Sequence, residues 1–252
     1  MKDKIKIYVV THKEFNPPKD KIYVPIQVGK LFTHQSLRFI GDDTGHNITH
    51  KNKNYCELTA LYWIWKNDSS SIVGLCHYRR YFSKSFIFSN ERFFLTKNDI
   101  KQLLSDYQAI VPEYTKLPCT VREFYSKFSG KDKDILTLKT IIKDCYPTYM
   151  GALNCVLYDT KAYYCNMLIC KKKYLNQYCE WMFNIMNRIE SVTDLSNYTV
   201  QEARIFGYLS EILLNVWIKH NDLRIIHIPV INTETSLKYR ISQRIKQIFH
   251  NI

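Results

Sequence analysis

The sequence predicts an α/β domain with a mostly parallel sheet, and three observations carry that expectation. Short apolar strand-like runs alternate with amphipathic helical stretches along the whole chain. Two of those runs end abruptly in polar clusters, as strands do where a parallel sheet presents a ligand-binding edge. The composition suits a packed core: of 252 residues 46% are hydrophobic and 14% aromatic, with only 7 Gly and 7 Pro to interrupt them. This excludes a disordered chain and a collagen-like or linker-rich one. No apolar run reaches the length of a transmembrane helix. Met1-Lys-Asp-Lys-Ile-Lys6 passes straight into a strand run, so no signal peptide is expected.

Residues 5–10 (Ile-Lys-Ile-Tyr-Val-Val) read as a buried strand that delivers Thr11-His12-Lys13. Pro17-Pro18 marks loop, and Gly41-Asp-Asp-Thr-Gly-His-Asn47 is a turn-rich segment. Leu58, Leu61, Tyr62 and Trp65 recur at helical spacing, which predicts one helix from Asn54 to Trp65. Ser71 to Cys76 is a second apolar strand, ending in His77-Tyr-Arg-Arg-Tyr81. A helix from Asn98 to Leu104 and a strand at 107–111 follow, and 120–145 is mainly helical. Asn166 to Cys170 reads as a strand. Amphipathic helices span Lys173–Ile189 and Tyr198–Ile218, and Leu223–Pro229 is the last strand. Trp63, Trp65, Trp181 and Trp217 fall on core-facing stripes. There is no internal repeat or low-complexity tract.

Lys and Arg number 36 against 23 Asp and Glu, a formal charge of +13. Nucleic acid, anionic lipid and a phosphorylated small molecule are all partners that such a charge suits. Nucleic acid fits least, because no RNP, KH or helix-turn-helix pattern accompanies the charge. The 8 Cys include no C-x-x-C pair. They read as small buried hydrophobes in a reducing cytosol, not as a disulfide frame or zinc site.

The chemistry concentrates at the two strand ends. Arg79 and Arg80 follow a buried strand, and an unpaired buried guanidinium is too costly for both to belong to the core. They are either a solvated strand end with an ion pair or a phosphate clamp, for which the planar guanidinium offers two parallel donors. Thr11, His12, Lys13, His77 and Tyr78 at the same sheet edge favour the clamp. Asp42 and Asp43 offer acceptors for a base or ribose, ligands for a metal, or an Asx turn; Asn47 belongs to the same segment. Glu57 either accepts from a ribose hydroxyl or caps a helix. Asn166 faces a sugar or acceptor, or satisfies a turn.

The blocks Lys6–Lys13, Gly41–Ile48, Tyr55-Cys-Glu-Leu-Thr-Ala-Leu-Tyr-Trp-Ile-Trp-Lys-Asn67, Val73-Gly-Leu-Cys-His-Tyr-Arg-Arg-Tyr-Phe82 and Gln201–Asn215 resemble a bacterial family of capsule, exopolysaccharide and lipopolysaccharide glycosyltransferases long catalogued as a domain of unknown function. The resemblance implies a GT-A-like, Rossmann-type fold, a nucleotide-sugar donor and transfer to a growing glycan. UDP-galactofuranose and UDP-galactose are the implied donors. In many GT-A transferases a Ser-Asp pair opens a helix and the next strand ends in a metal-binding Asp-x-Asp. Cys56-Glu57 and Tyr78-Arg79-Arg80 stand in those places here. Two arginines would repel a hard cation, so the expectation is a metal-independent enzyme in which Arg79 and Arg80 neutralise the leaving diphosphate. A divalent Mn or Mg remains the alternative.

An acceptor hydroxyl needs a carboxylate base in an inverting enzyme. Glu202 and Asp134 are the sequence choices, ahead of Asp132 and Glu211. The chain is expected to divide into a single transferase domain, 1–236, and a basic amphipathic helix, 237–252, carrying Lys238, Arg240, Arg244 and Lys246. Such a helix suits an anionic membrane surface. The expected protein is therefore cytoplasmic, peripheral on the inner membrane face, and paired with a lipid-linked acceptor.

Overall fold

The structure, a computed structural model, describes residues 4–33 and 35–242. Its strands are β1 (Ile5–Thr11), β2 (Tyr23–Gln27), β3 (Ile40–Gly41), β4 (Ile72–His77), β5 (Arg80–Phe82), β6 (Ala109–Pro112), β7 (Thr115–Lys116), β8 (Lys161–Ala162), β9 (Leu168–Lys171), β10 (Ile225–Ile228) and β11 (Val230–Asn232). The α-helices are α1 (Asn52–Tyr55), α2 (Leu58–Asn67), α3 (Lys97–Asp106), α4 (Val121–Phe128), α5 (Asp132–Cys145), α6 (Met150–Tyr158), α7 (Lys172–Val192) and α8 (Ile205–His220).

The main sheet runs β10-β6-β9-β4-β1-β2-β3, with β5 branching from β4 and β11 from β5. Its pairs are parallel from β4 to β3 and again between β10 and β6; β9 is antiparallel to both of its neighbours. The α/β class with a mostly parallel sheet is thus observed, with one reversed strand near its middle. Side chains alternate faces along a strand, and β1 divides accordingly. Tyr8 and Val10 pack with α2, α7 and α8 on one face, while Ile7 and Val9 pack with α3 and the β5 region on the other. Both faces are covered, which is why the central strands read as continuous apolar runs. Gly74 lets them close up: a Cβ there would stand 2.6 Å from Ile169 Cγ1 and 2.9 Å from Ile7 Cδ1.

The expected helix from Asn54 to Trp65 is two helices. Cys56 breaks it with φ 52°, a conformation that costs a β-carbon residue strain. Asn52 Nδ2 donates to the Cys56 carbonyl at 2.8 Å and so fixes the break. Elements without a sequence expectation are β2, whose Pro25 argues against a strand, the two- and three-residue strands β3, β5, β7, β8 and β11, and α6.

All eight thiols are free. Only Cys76, Cys170 and Cys179 are buried as expected; Cys155 is exposed and the rest are half-buried, Cys56 and Cys165 because they face a cavity. Of the expected C-terminal helix, Leu237–Ser242 is helical, with Leu237, Tyr239 and Ile241 exposed. Arg240 donates back to the Ile87 carbonyl at 2.6 Å. Arg244 and Lys246 lie outside the described residues. Among the described residues no helix is long and apolar enough to cross a membrane.

Candidate active site

A cavity of about 550 Å³ opens at the C-terminal ends of β1 and β4, where parallel sheets bind ligands. β1 brings His12 to it. β4 ends at His77, and a two-residue turn through Tyr78 and Arg79 leads into β5 at Arg80. That turn is held from behind, since Asn232 of β11 pairs with Arg80 and Thr233 N donates to the Arg79 carbonyl at 2.9 Å. The helix break contributes Cys56 and Glu57. The last wall is α8 and its entry: Arg204, Tyr208 and Glu211 recur at four- and three-residue spacing, one face of a helix. Tyr55 stacks on Phe206 with ring centres 4.4 Å apart, locking that helix to the break.

The three guanidinium groups are held differently. Arg79 Nη1 meets Glu234 at 3.2 Å, and Lys13 Nζ meets the same carboxylate at 3.0 Å. Arg79 Nε is buried without a partner among the described residues. The Arg80 side chain makes no hydrogen bond or ion pair among the described residues. Arg204 Nε donates to Cys56 Sγ at 3.1 Å. The cavity thus keeps guanidinium donors that no hydrogen bond or ion pair among the described residues occupies.

Two carboxylates face it. Glu57 Oε1 accepts from Asn166 Nδ2 at 2.7 Å, and Glu211 Oε1 accepts from Cys165 N at 2.6 Å. Cys165 and Asn166 both adopt left-handed backbone, φ 72° and 50°. This turn aims the Cys165 N–H at Glu211 while its carbonyl accepts from His77 Nε2 at 2.8 Å. Glu211 keeps a face toward the cavity but is enclosed by protein elsewhere. That desolvation, with the negative charge of Glu57 beside it, pushes its carboxyl up to about 8 against the Cys165 N–H, Arg80 and Arg204, which act in the opposite direction. Burial also pushes both imidazoles down, and neighbouring Lys13 and Arg79 add to this at His12.

The structure gathers His12, Glu57, His77, Tyr78, Arg79 and Arg80 of the expected residues into one cavity. It separates the others. Thr11 is buried, with Oγ1 donating to the Lys13 carbonyl at 2.6 Å; Lys13 itself pairs with Glu234 over the Tyr78 ring. Asp42 accepts from Gly29 N, Lys30 N, Thr49 Oγ1 and Thr59 Oγ1, which spends all its lone pairs on the fold. Asp43 lies 3.6 Å from Lys30 Nζ. Asn47 closes its own turn onto the carbonyls of Asp43 and Gly45.

The two sequence choices for the base need correction. Asp134 is 2% exposed and accepts from Lys131 N, Tyr125 OH and Tyr198 OH as the cap of α5. Glu202 accepts from Thr199 N at 2.8 Å and lies 3.9 Å from Lys131 Nζ. Neither lines the cavity. Asn166 does not line it either: it is buried, and its amide joins Glu57, the Gly207 carbonyl and Ser210 Oγ. It is a positioning residue. Sequence reasoning ranked Glu211 behind Glu202 and Asp134 and gave Arg204 no role in the site; the signal for both was their shared helical face with Tyr208. Among the described residues no group of three or more His, Cys, Asp or Glu is placed to hold a metal ion.

A family model described as Domain of unknown function (DUF4422) matches residues 6–222. The chain belongs to this family. Its solved structural neighbours include the apo structure of WbbM, a bifunctional glycosyltransferase, at 28% identity and a TM-score of 0.83. That match covers 92% of this chain and 45% of WbbM, so the chain spans just under half of that protein's length. Among curated proteins none matches. The sheet of this chain, mostly parallel and flanked by helices on both faces, is GT-A-like.

Proposed function

We propose that the chain is a glycosyltransferase domain that transfers a sugar from a nucleoside-diphosphate donor, UDP-galactofuranose or UDP-galactose, to a surface-polysaccharide acceptor. One observation carries the reading: a cavity at the C-terminal sheet edge sets three guanidinium groups beside two carboxylates that the fold leaves largely unspent. The similarity to a glycosyltransferase structure supports the reaction class.

The acceptor's hydroxyl oxygen attacks the anomeric carbon, and the bond from that carbon to the β-phosphate oxygen breaks. The electron pair leaves with the nucleoside diphosphate, whose charge Arg79, Arg80 and Arg204 stabilise. The hydroxyl proton passes to the Glu57–Glu211 pair. Guanidinium charge does the work a divalent cation does elsewhere, so turnover persists in EDTA.

The test is a panel of UDP, GDP, CMP and dTDP sugars read by thermal shift and by transfer, with EDTA present throughout. UDP sugars should stabilise the wild type, and Arg80→Ala should weaken that stabilisation by about tenfold in concentration. No stabilisation by any donor would overturn the reading. Turnover lost in EDTA and restored by Mn would overturn its metal-independent part.

A further inference from the structure

We infer that Glu234 is an internal competitor of the donor, a carboxylate that hands Arg79 over to the diphosphate when the sugar nucleotide binds. The nature of the anion rests on the donor reading above; the exchange itself needs only a phosphate in the arginine cavity. Arg79 lines that cavity, and Glu234 and Lys13 are not among the described residues that do. Glu234 reaches Arg79 through one nitrogen, Nη1, at 3.2 Å, and shares its carboxylate with Lys13 Nζ at 3.0 Å. Elsewhere in the fold Arg122 meets Asp132 as a fork, with Nε and Nη2 each 2.8 Å from a carboxylate oxygen. That is the geometry in which a guanidinium holds a carboxylate or phosphate most strongly. Arg79 lacks the second bond: its Nε is buried with no partner among the described residues, and an unmet buried donor is costly. Two phosphate oxygens can meet Nε and Nη together, which Glu234 does not.

The surroundings let the Glu234 side chain give up Arg79 while the backbone stays in place. Glu234 N donates to Asn232 Oδ1 at 3.0 Å, Thr235 Oγ1 to the Asn232 carbonyl at 2.8 Å, and Thr233 N to the Arg79 carbonyl at 2.9 Å. Lys13 gives the displaced carboxylate a partner to remain with. Lys13 and Arg79 hold the Glu234 carboxyl below its ordinary value, so it is charged throughout the neutral range. Lys13 Nζ and the Arg79 guanidinium both lie over the Tyr78 ring, 4.7 and 5.5 Å from its centre. Without Glu234 these two like charges would face each other across one side chain. The same carboxylate that steadies them lowers the attraction of Arg79 for a donor.

Calorimetric titration with UDP and with inorganic pyrophosphate at low salt tests the exchange. E234Q should bind both about fivefold more tightly than the wild type, the scale of two partly exposed ion pairs. Its melting temperature should stay near wild type, because the side chain it changes is 42% exposed. R79Q removes the contested group, so adding E234Q to it should change binding by less than about twofold. E180Q makes the same charge change on an exposed residue of α7 and should leave both affinities at their wild-type values. Tighter pyrophosphate binding by E234Q, with UDP bound by neither protein, keeps the exchange and overturns the nucleotide donor. The exchange itself is overturned if neither protein binds pyrophosphate, or if E234Q leaves that affinity unchanged or weakens it. A gain matched by E180Q, or as large in the R79Q background, overturns it as well.

Discussion

Asp42 and Glu211 are both carboxylates withdrawn from solvent, and they differ in the number of donors that meet them. Asp42 receives four, two to each oxygen, from backbone amides and threonine hydroxyls. Glu211 receives one, from Cys165 N, and its neighbour Glu57 likewise receives one, from Asn166. Desolvating a carboxylate is costly unless hydrogen bonds offset it. At Asp42 the offset is complete and the group serves the fold. At Glu211 it is incomplete, the proton is held more tightly, and acceptor capacity is left facing a cavity. Asp134 follows Asp42, with three donors. What separates the structural carboxylates from the proposed proton acceptors is the donor count, not depth.

Removing one member of each set breaks or sharpens the contrast. Glu57→Gln should leave the melting temperature near wild type and lower sugar transfer by about 10²–10⁴-fold, the usual worth of a positioned proton acceptor. Transfer near wild type would remove the pair from the chemistry. Asp42→Ala should do the reverse. Its four orphaned donors should cost about 3 kcal/mol or more, a drop of several degrees in a thermal melt, and the folded fraction should retain donor binding. A variant as stable as wild type would show that those bonds contribute little.

The same contrast predicts a pH dependence of stability. The Glu211 carboxyl titrates near 8 in the folded chain and near its ordinary 4.5 when unfolded. Between these values the folded state holds a proton that the unfolded state has lost, so this group's contribution is full below about 4.5 and is lost as pH rises toward 8. Glu211→Gln should flatten that part of the stability–pH curve, measured by urea unfolding across pH 5–9. An unchanged slope would place the proton elsewhere.

The central strands were legible because both of their faces are covered, so nothing polar interrupts β1, β4 or β9. β2 was not, since Pro25 speaks against a strand; the two residues of β3 pair only with Ile26 and Gln27 and leave Pro25 on an open edge. The single helix expected over 54–65 failed at Cys56, whose positive φ is held by the Asn52 side chain and not set by local propensity. In the site, His12, His77, Arg79 and Arg80 were legible because they lie at strand ends, whereas Arg204 enters a helix. Asp134 and Glu202 open helical segments, where carboxylates are favoured for capping whether or not a site is near.

By itself the sequence determined the α/β class, the sheet edge that bears the candidate site, and Arg79 and Arg80 in it, because alternation and polar strand ends are local properties. Tertiary structure alone decided which acids join them. Glu57 and Glu211 are 154 positions apart and meet only because α8 packs against the break before α2 and both abut the left-handed turn at Cys165–Asn166. Which carboxylates are left with one donor, and which are saturated with three or four, follows from contacts between distant segments that no local pattern records.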